Sequence, residues 1–182
     1  GGLEWLGFVS YFDPQCKKPQ LVINYELVDD LRQTLNAGMS ILDGKKLTLE
    51  SFFDLKPVRP HGSFMWQNIK FDIVPTPHII AGNESMYSYG LAIDINGKIV
   101  HITGDTKDVI KKHFCKKADV IFHDCEVGGY HSNVHAPYEE LLKLPMETRK
   151  KMWLYHYNPS NIDPVKDGFQ GFVIKGQEFE LF

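Results

Sequence analysis

Lys98 to Leu141 reads KIVHITGDTKDVIKKHFCKKADVIFHDCEVGGYHSNVHAPYEEL, and the fold turns on how this stretch is read. Two short β-type runs, Ile99–Thr103 and Asp119–Phe122, each lead to a carboxylate: Asp105 after a glycine and Asp124 after His123. Between them Lys107–Lys117 has the length of a helix. A buried strand that delivers an acid at its C-terminal end builds an active-site edge in α/β proteins. Gly104–Asp105–Thr106 also reads as a plain turn with a helix cap, since Asp and Thr favour both roles. Histidines elsewhere in the chain shift the balance toward chemistry.

Downstream of this stretch, Ala136–Leu144 and Glu147–Lys151 read as helices and Trp153–Tyr157 as a strand with His156 near its end. Asn158–Pro164 is a loop, and Gly171–Phe182 predicts a closing β-hairpin around Lys175–Gly176. Upstream, Leu3, Leu6 and Val9 with Trp5, Phe8 and Phe12 have near-helical spacing that ends before Asp13–Pro14. Leu21–Asn24 is a short β run. Glu26–Asn36 repeats leucine at 27, 31 and 35 and predicts a helix stopped by Ala37–Gly38. Met39–Glu50 is irregular, with a hairpin expected around Asp43–Gly44. Phe52–Val58 and Phe64–Val74 read as strands, broken at Pro60–His61–Gly62 and near Gln67–Asn68, and Pro75–Thr76–Pro77–His78 as a stiff turn after the second. Tyr87–Ile95 is a further strand, joined through Asn96–Gly97 to Ile99–Thr103. Hairpins first and β–helix alternation later predict one domain over residues 1–182, of α/β or α+β type, with sheets covered by helices.

Composition narrows the function. With 182 residues, 43% hydrophobic and 13% aromatic, the chain supports a real core. A net charge of −3 gives no footprint for non-specific nucleic-acid binding, and the lysine pairs at 111–112, 116–117 and 150–151 read as solvated faces. Cys16, Cys115 and Cys125 lack CxxC spacing and cannot all pair, which points to a reducing compartment. No apolar run approaches a membrane span. The chain opens Gly1–Gly2–Leu3, without Met and as if inside an element, so a missing beginning is expected.

His78, Asp105 and His156 share one property: each is expected just past a β-type run. Neutral imidazole and carboxylate suit zinc, manganese or iron, and strand ends hold ligands rigidly. No local motif such as His-x-x-x-His reinforces them, and each histidine alone reads more readily as a hydrogen-bonded or surface residue. Three such residues make at most half of a two-metal site.

On these residues the chain resembles the C-terminal two-thirds of a metallo-β-lactamase-fold hydrolase, an αββα sandwich of two β-sheets with outer helices. Within that superfamily it is similar to the branch holding ribonuclease Z and the small phosphodiesterases that cleave cyclic nucleotides. Gly1–Gly2–Leu3–Glu4 matches the segment that follows the family's His-x-His-x-Asp-His stretch, which is absent from the 182 residues. His78 in VPTPHI, Asp105 in HITGDT and His156 in LYHY match the later ligands in order. The resemblance implies two divalent ions, zinc or manganese, with Asp105 bridging them, His78 and His156 completing the two sets, and a bridging hydroxide attacking phosphorus in line. It also implies a general acid paired with Asp124. The candidates are His131, before Ser132, and His135, before Ala136; His135 is preferred because His135-x-x-x-Glu139 matches the family spacing. Glu126 could support the site from behind.

For substrate, the resemblance implies a small phosphodiester such as a cyclic nucleotide. The basic, glycine-rich arm with which ribonuclease Z grips tRNA has no counterpart between Glu26 and Lys70. The expected protein is a cytoplasmic homodimer without membrane contact. The alternatives are a tRNA 3′-processing endonuclease and a non-catalytic fragment or interaction module.

Overall fold

Two parallel strands, β1 (Gln20–Asn24) and β4 (Asp54–Val58), pair with Gln20 opposite Asp54 and frame the first of two units, which ends at Gly62. The structure is a computed structural model and describes residues 2–109, 117–129 and 131–181. Helices α1 (Gly2–Phe12), α2 (Val28–Met39) and α3 (Leu49–Phe52) contribute to a core of Met39, Leu49, Phe52 and Phe53. The expected stop at Ala37–Gly38 is overridden: α2 runs on to Met39, whose side chain is buried in that core, and packing outweighs the glycine's modest penalty. Phe52 belongs to α3 rather than to a strand, because Thr48 and Ser51 form a reciprocal capping box that starts one helical turn. The hairpin around Asp43–Gly44 forms as expected between β2 (Ile41–Leu42) and β3 (Lys45–Lys46), with both turn residues at positive φ.

The second unit, Ser63–Phe182, is a seven-stranded sheet. Strands β5 (Ser63–Trp66), β6 (Ile69–Ala81), β7 (Glu84–Ile95) and β8 (Lys98–Ile102) run antiparallel in sequence order. Then β8, β9 (Val120–Asp124), β10 (Met152–Tyr155) and β11 (Gly171–Phe172) pair in parallel. Gln67–Asn68 and Asn96–Gly97 make the two-residue turns that need positive φ at both positions. Ile121, Met152 and Leu154 lie fully buried with Leu141, Tyr138 and Phe169, so the parallel half carries the unit's core.

Three expectations change here. Pro75–Thr76–Pro77–His78 is no turn: β6 continues through it as far as Ala81, paired to β7 with a bulge between Pro77 and Ile79. The prolines are tolerated because β5 pairs β6 only as far as Asp72, so their missing amides fall on an edge without a strand partner among the described residues. Next, Ala136–Leu144 is helical only over α4 (Tyr138–Leu141), followed by α5 (Met146–Arg149). Backbone bonds from Glu126 N to Ala136 O (2.8 Å) and from Tyr138 N to Glu126 O (2.9 Å) hold residues 136–137 extended. Finally, the closing hairpin is absent: β11 pairs in parallel with β10 and no strand follows it among the described residues. The helix expected over Lys107–Lys117 falls mainly on residues 110–116, outside the described residues, as do Cys115 and His113. Among the described residues no helix is long and apolar enough to cross a membrane.

Candidate active site

Asp124 ends β9 and is fully buried. One carboxylate oxygen, Oδ2, accepts from the Thr106 amide (2.8 Å) and from His135 Nδ1–H (2.7 Å). The other, Oδ1, is buried without a hydrogen-bond partner among the described residues and lies 3.3 Å from His156 Nδ1. Burial raises the Asp124 carboxyl above the ordinary range, and the Thr106 amide and His135 pull it partly back. A buried, half-satisfied carboxylate of this kind is costly unless a positive group completes it.

Asp105 lies on the loop after β8, and that loop is gripped by hydroxyls. Thr76 Oγ1 donates to Thr103 O (2.9 Å), Tyr155 Oη to Gly104 O (2.7 Å), and Ser88 Oγ to Asp105 O. The loop crosses the β6–β7 hairpin over Gly90. A Cβ there would lie 2.5 Å from Ile102 O and 2.6 Å from Thr103 O, so any side chain at Gly90 would lift Asp105 off its support. Asp105 Oδ1 is 3.5 Å from His156 Nδ1.

His78 occupies the β6 bulge, which turns its side chain out of the strand's regular alternation. Its Nδ1–H donates to Val134 O (2.9 Å), a bond that fixes the tautomer and leaves Nε2 as the acceptor nitrogen. His156, just past β10, has φ +66, in the left-handed region that costs a non-glycine residue about 1–3 kcal/mol. Its ring lies 4.2 Å from the His135 ring, centroid to centroid, and the His78 ring lies 5.5 Å from that of His135.

Thus His78, Asp105, Asp124, His135 and His156, far apart in sequence, converge on one end of the sheet. The donor set is the imidazole and carboxylate mixture that zinc and manganese take, and the Asp124 oxygen left open beside His156 fits a cation there. The tightest group, with ligand atoms within 4.8 Å of one another, is Asp124, His135 and His156 rather than the expected trio. The 2.7 Å bond between Asp124 and His135 already uses one oxygen and one ring nitrogen of that group. That favours an internal acid–base pair of Asp124 and His135, with Asp105 and His156 facing each other beside it at 3.5 Å.

The remaining candidates separate cleanly. His131 is exposed. Glu126 accepts the Ser132 amide with both oxygens (3.1 and 2.9 Å), so it shapes the loop that carries His135. The hydroxyls of Thr76, Ser88, Thr103 and Tyr155 gave no signal in the sequence, because Thr, Ser and Tyr in strands are ordinary.

His123 is buried on β9 and donates from Nδ1 to Asp124 O (2.6 Å). Burial chiefly holds its pKa down, to about 4 from 6.5. Between those values the unfolded chain binds a proton that the folded state refuses, so stability falls as pH drops through that window. The loss is expected to reach about 3 kcal/mol. Urea midpoints at pH 7, 6, 5 and 4.5 should show it, and His123→Leu should flatten the slope.

Solved structures place the fold. YhfI from Bacillus subtilis, a metallo-β-lactamase fold protein, matches with a TM-score of 0.60 at 12% identity over 93% of this chain and 67% of that one. Yeast PDE1 matches at 0.61 and 13% identity, over 92% of this chain and 58% of that one. The short form of human tRNase Z matches at 0.54 and 14%, over 85% and 66%. The fold is that of the metallo-β-lactamase class. More narrowly, the family profile for "Anti-Pycsar protein Apyc1" matches residues 1–179, and the chain belongs to that family. The Apyc1 protein of Paenibacillus harenae is 32% identical over 163 residues, and that of Paenibacillus sp. (strain J14) 31% over 166. These alignments cover 86% and 87% of this chain, which spans 63% of the length of either relative.

Proposed function

We propose that the full-length protein is a metal-dependent phosphodiesterase acting on a small phosphodiester such as a cyclic nucleotide. The observation that carries this reading is the hydrogen bond from His135 Nδ1–H to a fully buried Asp124, set beside Asp105, His156 and His78. Membership of the Apyc1 family and a fold shared with yeast PDE1 and human tRNase Z support it.

His78, Asp105 and His156 would hold divalent ions, zinc foremost and manganese as a substitute. Such ions, when bound, supply charge neutralisation at the phosphoryl group and acidify water. The protein's own part is proton management. Asp124 fixes the His135 tautomer, so that Nε2 is the nitrogen offered to the substrate. In the protonated ring that nitrogen gives its proton to the leaving alkoxide, and the buried carboxylate stabilises the imidazolium beforehand. The hydroxyl clamps on residues 103–105 keep Asp105 at a fixed height relative to His156, as in-line displacement requires.

Cys16 and Cys125, both free thiols, suit the reducing cytoplasm. The reading also takes the working form as a homodimer. The test is an assay of the zinc- or manganese-supplemented full-length protein against 3′,5′-cyclic nucleotides, bis(p-nitrophenyl) phosphate and precursor tRNA. Hydrolysis of the cyclic nucleotides is expected. Activity confined to precursor tRNA would reject the small substrate, and inertness toward all three would leave a binding module.

A further inference from the structure

The β6–β7 hairpin continues past the site as a two-stranded arm. β8 pairs β7 only from Leu91 onward and β5 pairs β6 only as far as Asp72, so residues 76–88 extend beyond both neighbours. One face of this arm can be followed residue by residue. At Gly90 the loop after β8 crosses in backbone contact. Two residues on, Ser88 donates to Asp105 O, and Thr76, directly opposite, bonds Ser88 (3.0 Å) and Thr103 O. Strand side chains alternate, so the next position on that face is Met86, and its cross-strand partner is Ile79. The bulge at His78 keeps Ile79 in register with Met86, while Pro77 opposite Tyr87 belongs to the other face.

Met86 is 61% exposed and Ile79 36%. They stand one strand step beyond the side chain that holds Asp105, roughly 7 Å along the arm. Neither side chain is needed by a buried core cluster. An exposed thioether and a branched aliphatic side chain, paired across two strands, suit the face of a planar ring.

Resting on the phosphodiesterase reading above, we propose that Met86 and Ile79 form an apolar lip that seats the planar base of a nucleotide whose phosphate lies at Asp105 and His156. The lip sets substrate affinity and orientation, and takes no part in proton transfer. Continuity with the site decides between this occupant and a protein partner: along β7 the face that supports Asp105 alternates regularly from Gly90 through Ser88 to Met86, with Ile79 opposite it.

The experiment compares the full-length, metal-loaded protein with its Met86→Ser and Met86→Leu variants. Three quantities are read: KM and kcat for a 3′,5′-cyclic nucleotide, inhibition by the matching nucleoside monophosphate, and inhibition by inorganic phosphate. In Met86→Ser, KM and the monophosphate inhibition constant are expected to rise about tenfold, the scale of one lost sulfur–ring and apolar contact. The values for kcat and for phosphate should stay within about twofold of the unmodified protein. Met86→Leu should restore most of the loss. Unchanged nucleotide affinity in Met86→Ser would overturn the lip while leaving the phosphodiesterase reading intact. Parallel weakening of phosphate and nucleotide would also overturn it, by showing damage to the phosphate end. A change of sedimentation with unchanged nucleotide affinity would assign the pair to a subunit contact instead. If the unmodified protein hydrolyses no phosphodiester, the parent reading fails and the lip falls with it.

Discussion

His135→Ala lowers turnover of the metal-loaded protein by about 10²–10⁴-fold, the usual worth of a positioned general acid, while bound metal stays near that of the unmodified protein. The expectation rests on geometry. The His135 ring donates to Asp124 Oδ2 at 2.7 Å and neighbours both His78 and His156, with centroid distances of 5.5 and 4.2 Å. Its outward nitrogen is the group best placed to meet a leaving oxygen. Elemental analysis beside the kinetics decides the role. His135 also falls within the tightest ligand group with Asp124 and His156, so substantial metal loss in the variant would make it a ligand instead.

A second large effect is expected at Asp105. Asp105→Asn keeps the side chain's size and every backbone bond that clamps the loop, but removes the charge that faces His156. Metal affinity should fall by more than the about 10–100-fold that loss of an outer partner of a ligand costs, and hydrolysis should drop to background. Titration with zinc or manganese, followed by calorimetry, measures the first effect. Far-ultraviolet circular dichroism should match that of the unmodified protein, because the clamp is made by Thr76, Ser88 and Tyr155 through main-chain oxygens. Unaltered metal affinity would remove Asp105 from the ligand set.

The sequence disclosed the strands around the site more readily than the contacts within it. Asp105 and His156 stand where alternation and turn chemistry predict, because each follows a short apolar run with its own local stop. His78 does not: two prolines suggested a turn, yet β6 passes through them because only one of its edges is paired there. The pairing of Asp124 with His135 rather than His131 was legible only through family spacing. Its physical cause is tertiary: the bridge from Glu126 to Pro137 holds residues 136–137 extended just past the ring. The hydroxyl clamps were invisible, since a Thr or Ser bonded to a distant carbonyl looks no different in sequence from one facing water. So too was the short reach of the helix after Pro137, set by main-chain bonds from Glu126.

Pro75 and Pro77 carry a further consequence. A two-stranded arm with exposed Ile79, Ile80, Met86 and Tyr87 presents the apolar side chains and the open edge that invite another chain to add a strand. On the stretch nearest the site, two amides that would seed such an addition do not exist, and the carbonyl of Pro77 is already taken by Thr106 Oγ1 at 2.9 Å. On that edge of β6 the arm can remain greasy and accessible to small molecules while offering a poor template for an added strand.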